Sequence, residues 1–153
     1  MSEQKLPIRF RPATVEDANF LFNSWLKSYR HSHFARLIAN TVYYTEHHKI
    51  LERLVKDCKT IMACNKDDPN QLYGYINGGT IDGILCINYI YVKHSFRNMG
   101  IGKALLNVFD HDADAAAVYT HHTRIADRLA PKYNLVFHPY VLHQDFDKPE
   151  TGE

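Results

Sequence analysis

The spacing of apolar residues along this 153-residue chain changes several times, and each change marks an element. Ile8-Arg9-Phe10-Arg11 alternates, which predicts a first strand ended by Pro12. Thr14, with Asp17 three residues on, is a helix-start signal of the capping-box type. Ala18, Leu21, Phe22, Trp25 and Tyr29 then recur at helical spacing, so a helix runs to about Arg30. Residues 31–44 carry no period. Thr45 caps a second predicted helix that places Ile50, Leu51, Leu54 and Val55 on one face. A strand follows over 60–64, a polar turn over 66–70, and another strand beginning at Leu72 and weakened at Gly78-Gly79.

Asp82-Gly83 is a hairpin signal, and the apolar, β-branched and aromatic run over 84–92 reads as a buried central strand. A helix over 103–109, a polar connection over 111–114 and a short strand over 115–120 come next. Ile125, Ala126 and Leu129 predict a helix that ends at Pro131. Leu135-Val136-Phe137 and Tyr140-Val141-Leu142 read as a last extended segment, and 145–153 as a charged, mobile tail. The order β-α-α-β-β-β-α-β-α-β predicts an α+β fold, a mixed and mostly antiparallel sheet flanked by helices, in a single domain over 1–144.

Composition narrows the class. Hydrophobic residues at 45% and charged residues at 23% suit a globular domain with a proper core. A net charge of +1 argues against nucleic-acid binding by a basic surface. No apolar run approaches the ~20 residues of a membrane helix, and the N-terminus has no secretory signal. Three cysteines (Cys58, Cys64 and Cys86) with no C-x-x-C indicate reduced thiols, and hence a cytoplasmic protein. Ten histidines invite a metal reading, but neither H-E-x-x-H nor a zinc-like spacing occurs, so no metal is expected.

The distinctive stretch is Arg97-Asn98-Met99-Gly100-Ile101-Gly102, between the central strand and a helix. Helix N-termini offer free N–H groups and the positive end of a dipole to a phosphate. The pattern R-x-x-G-x-G is neither the dinucleotide fingerprint nor a P-loop. With Ile90-Tyr91-Val92 before it and Phe96 next to the arginine, it resembles the acetyl-CoA motif of the GNAT superfamily of N-acyltransferases. The strand and helix at the N-terminus and the order of elements resemble that family too, with its last strand missing for want of chain.

The resemblance implies acetyl-CoA as cosubstrate and an amine acceptor, with acetyl transfer by direct attack in a ternary complex. It implies that Tyr91 and Val92 hold pantetheine by main-chain bonds. Arg97, Asn98, Gly100, Ile101, Gly102 and Lys103 would cradle the phosphates, and Thr123 takes the place of a usual asparagine. Cys86 and Asn88 stand where the family often has its base, and neither suits the task. Ala130 stands where the family's acidic tyrosine is expected. Tyr133 is the nearest replacement as acid. His121 or His122, expected at the mouth of the cleft, is a candidate base.

Trp25, Tyr29 and Tyr43, with Phe34 and Tyr44 nearby, are candidates for an aromatic acceptor pocket or for core. The family's frequent dimers leave a homodimer open. The alternative reading is a degenerate CoA-binding or protein-interaction module without turnover. The acceptor is open among small amines, polyamines, protein N-termini and lysine side chains.

Overall fold

The computed structural model describes residues 6–109 and 115–148. In chain order the main elements are β1 (Ile8–Pro12), α1 (Ala18–Tyr29), α2 (Asn40–Asp57), β2 (Lys59–Asn65), β3 (Asp68–Ile81), β4 (Ile84–Val92), α3 (Ile101–Val108), β5 (Ala117–Tyr119), α4 (Arg124–Tyr133) and β6 (Leu135–Phe137). This is the predicted order. The six strands lie in the sheet in chain order, β1 to β6. The first four form an antiparallel meander, and β5 and β6 add in parallel after helical crossovers. No seventh strand occurs among the described residues.

Each face of the sheet buries its own apolar cluster. Trp25, Tyr43, Leu51, Leu54, Met62, Tyr75 and Tyr89 pack on the α1–α2 side. Ile76, Ile87, Ile90, Ile101, Leu105 and Leu129 pack on the α3–α4 side. At the start of α1 the Asp17 carboxylate accepts the Thr14 N–H at 2.8 Å, as the capping signal predicted. It also pairs with Arg11 of β1 at 2.7 and 3.0 Å, a two-point contact between strand and helix.

Several boundaries differ from expectation, each for a local reason. α2 begins at Asn40, not at Thr45, because Tyr43, His47, Leu51 and Leu54 form one continuous buried stripe. Tyr43 points inward and Tyr44 outward. β3 continues through Gly78-Gly79 to Ile81; a Cβ on Gly78 would lie 2.9 Å from the Cys86 carbonyl oxygen, so glycine keeps the ladder close. α4 runs through Pro131 to Tyr133 and ends on Asn134, whose φ of 55° is left-handed and whose N–H returns to the Ala130 carbonyl. Pro139–His143 is a 3-10 turn and not an extended segment.

The expected tail starts with a packed segment. Phe146 is buried, and the Asp147 carboxylate accepts the N–H groups of Asp82 and Gly83, each at 2.9 Å, clasping the β3–β4 turn. In that turn Asp82 and Gly83 have φ of 51° and 79°, as a tight Asp-Gly hairpin needs. The expected connection over 111–114 and the end of the tail, residues 149–153, lie outside the described residues.

The ladder between β3 and β4 slips once. Asn77 pairs with Tyr89 and Gly78 with Ile87, so Asn88 is an extra residue in β4. Strict alternation would set Tyr89 and Tyr91 on the face opposite Cys86. The bulge instead puts Cys86, Tyr89 and Tyr91 on the α1–α2 side, with Ile87, Ile90 and Val92 on the other. Beyond the bulge the strands run very close at Gly74, where a Cβ would lie 2.2 Å from the Tyr91 carbonyl oxygen. That oxygen is backbone and has no room to yield. Gly74→Ala is expected to cost about 2 kcal/mol, or roughly 6 °C in Tm, by overpacking. Thermal unfolding checks this, and an unchanged Tm would show that the strands separate freely there.

Candidate active site

β4 and β5 pair over two residues, Cys86 with Val118 and Ile87 with Tyr119, and the Thr120 N–H adds a bond to the Ile87 carbonyl at 3.1 Å. β5 then ends while β4 continues to Val92, so the C-terminal half of β4 has β3 on one side and, among the described residues, no strand on the other. The Tyr91 carbonyl is turned toward Gly74 of β3, and the Lys93 N–H bonds the Tyr73 carbonyl at 2.8 Å. Antiparallel alternation therefore aims the main-chain groups of Ile90 and Val92 into the gap. The Val92 carbonyl accepts the Arg97 Nε–H there, at 3.0 Å. Of the two residues expected to bind through the main chain, Val92 faces the gap and Tyr91 faces β3.

The gap leads into the glycine loop. Asn98 and Gly100 have left-handed φ of 66° and 79°. The first backbone bond of α3 runs from the Ala104 N–H to the Gly100 carbonyl at 3.0 Å. The N–H groups of Ile101, Gly102 and Lys103 thus have no partner within the helix, and no side chain among the described residues caps them. The loop over 97–100 and Lys103 are exposed. Three free donors at the positive end of a helix beside two cations suit a phosphate group. The two glycines do different work. Gly100 supplies the backbone angle, whereas a Cβ on Gly102 would sit 3.3 Å from Ile125 and 4.0 Å from Ile90, so Gly102 lets α3 pack against α4 and β4. Thr123 caps α4, its Oγ1 accepting the Ala126 N–H at 3.1 Å.

On the α1–α2 side of this gap lies an open cleft of about 380 Å³. One wall is α1, through Phe20, Asn23, Ser24, Lys27 and Ser28; Tyr91 and Arg97 form the other. Asn23, Ser24, Lys27 and Ser28 fall at helical spacing next to the apolar stripe and form a polar strip along α1. Two buried tyrosines of the sheet bond this strip: Tyr75 meets Ser24 Oγ at 2.8 Å and Tyr89 meets Ser28 Oγ at 2.5 Å. Because each serine hydroxyl donates to the carbonyl one turn back, at 2.6 Å, the tyrosine hydroxyls donate to the serines. Burial raises the pKa of both tyrosines above the ordinary value.

The aromatic acceptor pocket expected from Trp25, Tyr29 and Tyr43 is not there. All three are buried, Trp25 stacking on Tyr89 with centroids 4.7 Å apart and Tyr43 donating to the Leu26 carbonyl at 2.6 Å. His121 is not at the cleft mouth either, being 2% exposed beneath Trp25, Tyr29 and Tyr89. It belongs to a buried polar chain whose direction is fixed at one end by the Leu54 carbonyl, which can only accept. Asn77 Nδ2 donates to it at 3.2 Å, Asn88 Nδ2 donates to Asn77 Oδ1, and the Thr120 hydroxyl donates to Asn88 Oδ1, the last two at 2.9 Å. His121 Nδ1 then donates to Thr120 Oγ1, and His121 Nε2 accepts from His47 Nε2, both at 2.9 Å. Both ring nitrogens of His121 are engaged, so it has no lone pair for a substrate proton.

The other candidates also fall away from the cleft. The buried Cys86 thiol is pushed up to about 12, and Asn88 is locked in the polar chain. His122 pairs with Asp127 at 3.1 Å. Tyr133 packs half-buried against the α3–α4 cluster, on the side of the sheet away from the cleft, and Ala130 lies near it. Among the described residues no three His, Cys, Asp or Glu side chains gather to hold a metal, and no helix is long and apolar enough to cross a membrane.

The central strand of the meander thus parts from its parallel neighbour beside the N-terminus of a helix. A profile of the Acetyltransferase (GNAT) family matches residues 19–128, and the chain belongs to that family. Solved structures share the fold. The GCN5-related N-acetyltransferase "Aminotransferase, Class-II" from Rhodopseudomonas palustris is similar at 13% identity over 86% of this chain and 82% of its own, with a TM-score of 0.57. A chain from Pyrococcus furiosus, provisionally described as an acetyl transferase, aligns at 19% identity over 93% of this chain and 85% of its own, with a TM-score of 0.53. PaiA N-acetyltransferase from Thermoplasma acidophilum, in complex with coenzyme A, aligns at 20% identity over 67% and 69%, with a TM-score of 0.48. Of apo-form YjaB from Escherichia coli the chain spans 63%. No curated protein matches the chain.

The buried histidines make stability depend on pH. Burial lowers His47 from 6.5 to about 4 and holds His121 well below its ordinary value. Below pH 6.5 the unfolded chain binds protons that the folded chain refuses. Stability is therefore full above pH 6.5 and falls as the pH drops, by about 1.4 kcal/mol per pH unit for each histidine, until the folded pair protonates. Urea denaturation at about pH 7 and about pH 5 measures it; equal stability at both would mean that the pair is solvated.

Proposed function

We propose that this protein is an N-acetyltransferase that moves an acetyl group from acetyl-CoA to a primary amine by direct attack within a ternary complex. The observation that carries the reading is the unpaired edge of β4 running straight into a glycine loop and three free N–H groups of α3. Main-chain groups of Ile90 and Val92 would hold the pantetheine arm. The N–H groups of Ile101, Gly102 and Lys103, with the Lys103 ammonium, would hold the phosphates, while Arg97, tied by Nε to the Val92 carbonyl, faces the cleft instead. Asn98 and Gly100 shape the loop that presents them. When bound, acetyl-CoA supplies an activated acetyl thioester.

The protein's own part is to position the amine. The cleft floor at Tyr91 adjoins the open edge, so an amine entering along α1 comes up beside it. Ser28 lines the cleft, and its hydroxyl, which donates to the Ser24 carbonyl and accepts from Tyr89, keeps one lone pair to accept an N–H of the incoming amine. The cleft lining has neither carboxylate nor histidine. Proton removal then rests with water, and the amine that reacts is the fraction already neutral. A CoA-binding module without turnover is the second reading, favoured by that lack of a base and by the burial of His121.

Two measurements test these readings. Gly102→Asp would strike Ile125 and confuse folding with binding, whereas Lys103→Glu puts a carboxylate at an exposed first-turn position that the helix tolerates well. Calorimetry is expected to show acetyl-CoA binding that Lys103→Glu weakens about tenfold or more with Tm unchanged; equal affinity in the variant would remove the phosphate site. With an amine substrate, kcat/KM is expected to climb steadily with pH toward the pKa of the amine, without a plateau set by a histidine. A plateau beginning near neutrality would reveal an enzymic base, and no turnover on any amine would leave the binding module.

A further inference from the structure

We infer that the acceptor is a small amine that also bears a carboxylate, and that Lys27 and Arg97 recognise that carboxylate in the cleft. This rests on the acetyltransferase reading and names its substrate class. Acidic residues make up 17 of 153, yet none occurs from Ala18 to Thr45 or from Ile84 to Phe109. Those two stretches supply every residue that lines the cleft. The charges they bring to it are Lys27 from α1 and Arg97 from the loop opposite. Lys93 stands at the rim, its ammonium 5.2 Å from the centre of the Phe20 ring. Elsewhere on the molecule several cations sit against carboxylates: Lys49 with Glu46, Arg53 with Asp57, Arg11 with Asp17. Lys27 and Arg97 have no carboxylate partner among the described residues.

The contrast selects among amines. A polyamine or a lysine-rich peptide would bring a second positive charge into a cleft with no acid to receive it, and like charges brought together are strongly disfavoured. An amino acid brings the missing anion. Arg97 uses Nε to hold the Val92 carbonyl, so its terminal nitrogens are oriented by the strand edge where the chemistry is placed, and Lys27 faces it across the cleft. Asn23, Ser24 and Ser28 add neutral polar contacts between the two. The same cations favour the uncharged form of a nearby amine, which is the form that attacks. The field of the cleft thus accounts for a site that has no base of its own.

The test uses the full chain with acetyl-CoA and matched acceptors: δ-aminovalerate against pentylamine and cadaverine, and norvaline against butylamine. The amino acids are expected to exceed the matching amines by about tenfold or more in kcat/KM, with cadaverine the poorest. Lys27→Ala is expected to raise KM for the amino acids about tenfold and leave KM for acetyl-CoA unchanged, and Lys27→Glu to turn the preference toward cadaverine. Indifference to the carboxylate, or a wild-type preference for cadaverine, would overturn the inference. So would Lys27→Ala raising KM for acetyl-CoA and abolishing discrimination between CoA and dephospho-CoA, because Lys27 would then serve the cosubstrate. If acetyl-CoA binds but no amine is turned over, the acetyltransferase reading fails by itself. Calorimetric binding of δ-aminovalerate over cadaverine to the CoA-loaded protein then decides the cleft's preference separately.

Discussion

The hydrogen bonds around Asn88 fix where the sheet opens. Asn88 is the extra residue of β4, and its amide joins Asn77 of β3 on one side and Thr120, just past β5, on the other. A buried amide left without partners would cost several times what one hydrogen bond contributes, so the three strands are held in a single register at that level. Below it, β4 and β5 pair; above it they do not. The same bulge rotates β4 so that Tyr89 and Tyr91 face α1, where they meet the serine strip. Cleft, open edge and tyrosine–serine contacts are thus consequences of one inserted residue and the polar groups that tolerate it.

The protein concentrates its uncommon chemistry on the two sides of that level. Inside are two histidines kept neutral by burial, facing each other through their ring nitrogens and walled by Trp25, Tyr29 and Tyr43. Outside is a cleft with neutral donors and cations. Neither region holds a carboxylate among the described residues, whose acids lie just before α1, on α2, around the β2–β3 and β3–β4 turns, at Asp127 of α4 and after β6. A nearly neutral molecule therefore presents a locally positive site, which the overall charge conceals.

Element order was legible because the periods are clear: an alternating β1, a helical stripe in α1, an apolar β4 and an Asp-Gly hairpin. The glycine loop was legible because its chemistry is carried by the backbone, which a short motif determines. The boundaries that went astray depend on packing. Tyr43 and His47 extend α2 backward because α1 and the sheet bury them, and Pro131 stays inside α4 because the helix ends on Asn134. Catalytic candidates were the least legible. His121 looked accessible from its place after β5, but Trp25 and Tyr29 of α1 and Tyr89 of β4 pack over it. Asn23, Ser24, Lys27 and Ser28 went unnoticed because a polar strip at helical spacing looks like any solvent face until the opposite wall is known.

The strands lie in the sheet in the order in which they occur in the chain. For β2 to β4 every pairing is with the next strand along, across tight turns, so this part closes with short loops and little entropic delay, and β1 joins it once α1 and α2 are made. β5 and β6 pair in parallel and must wait for α3 and α4 to be made and packed. The gap between β4 and β5 is therefore also a seam in time: a fast, local half on one side and a slower half, built through crossovers, on the other. During synthesis the meander would stand complete with its β4 edge bare before the second half covers part of it. The edge left uncovered afterward is the part of that early state which the finished protein retains.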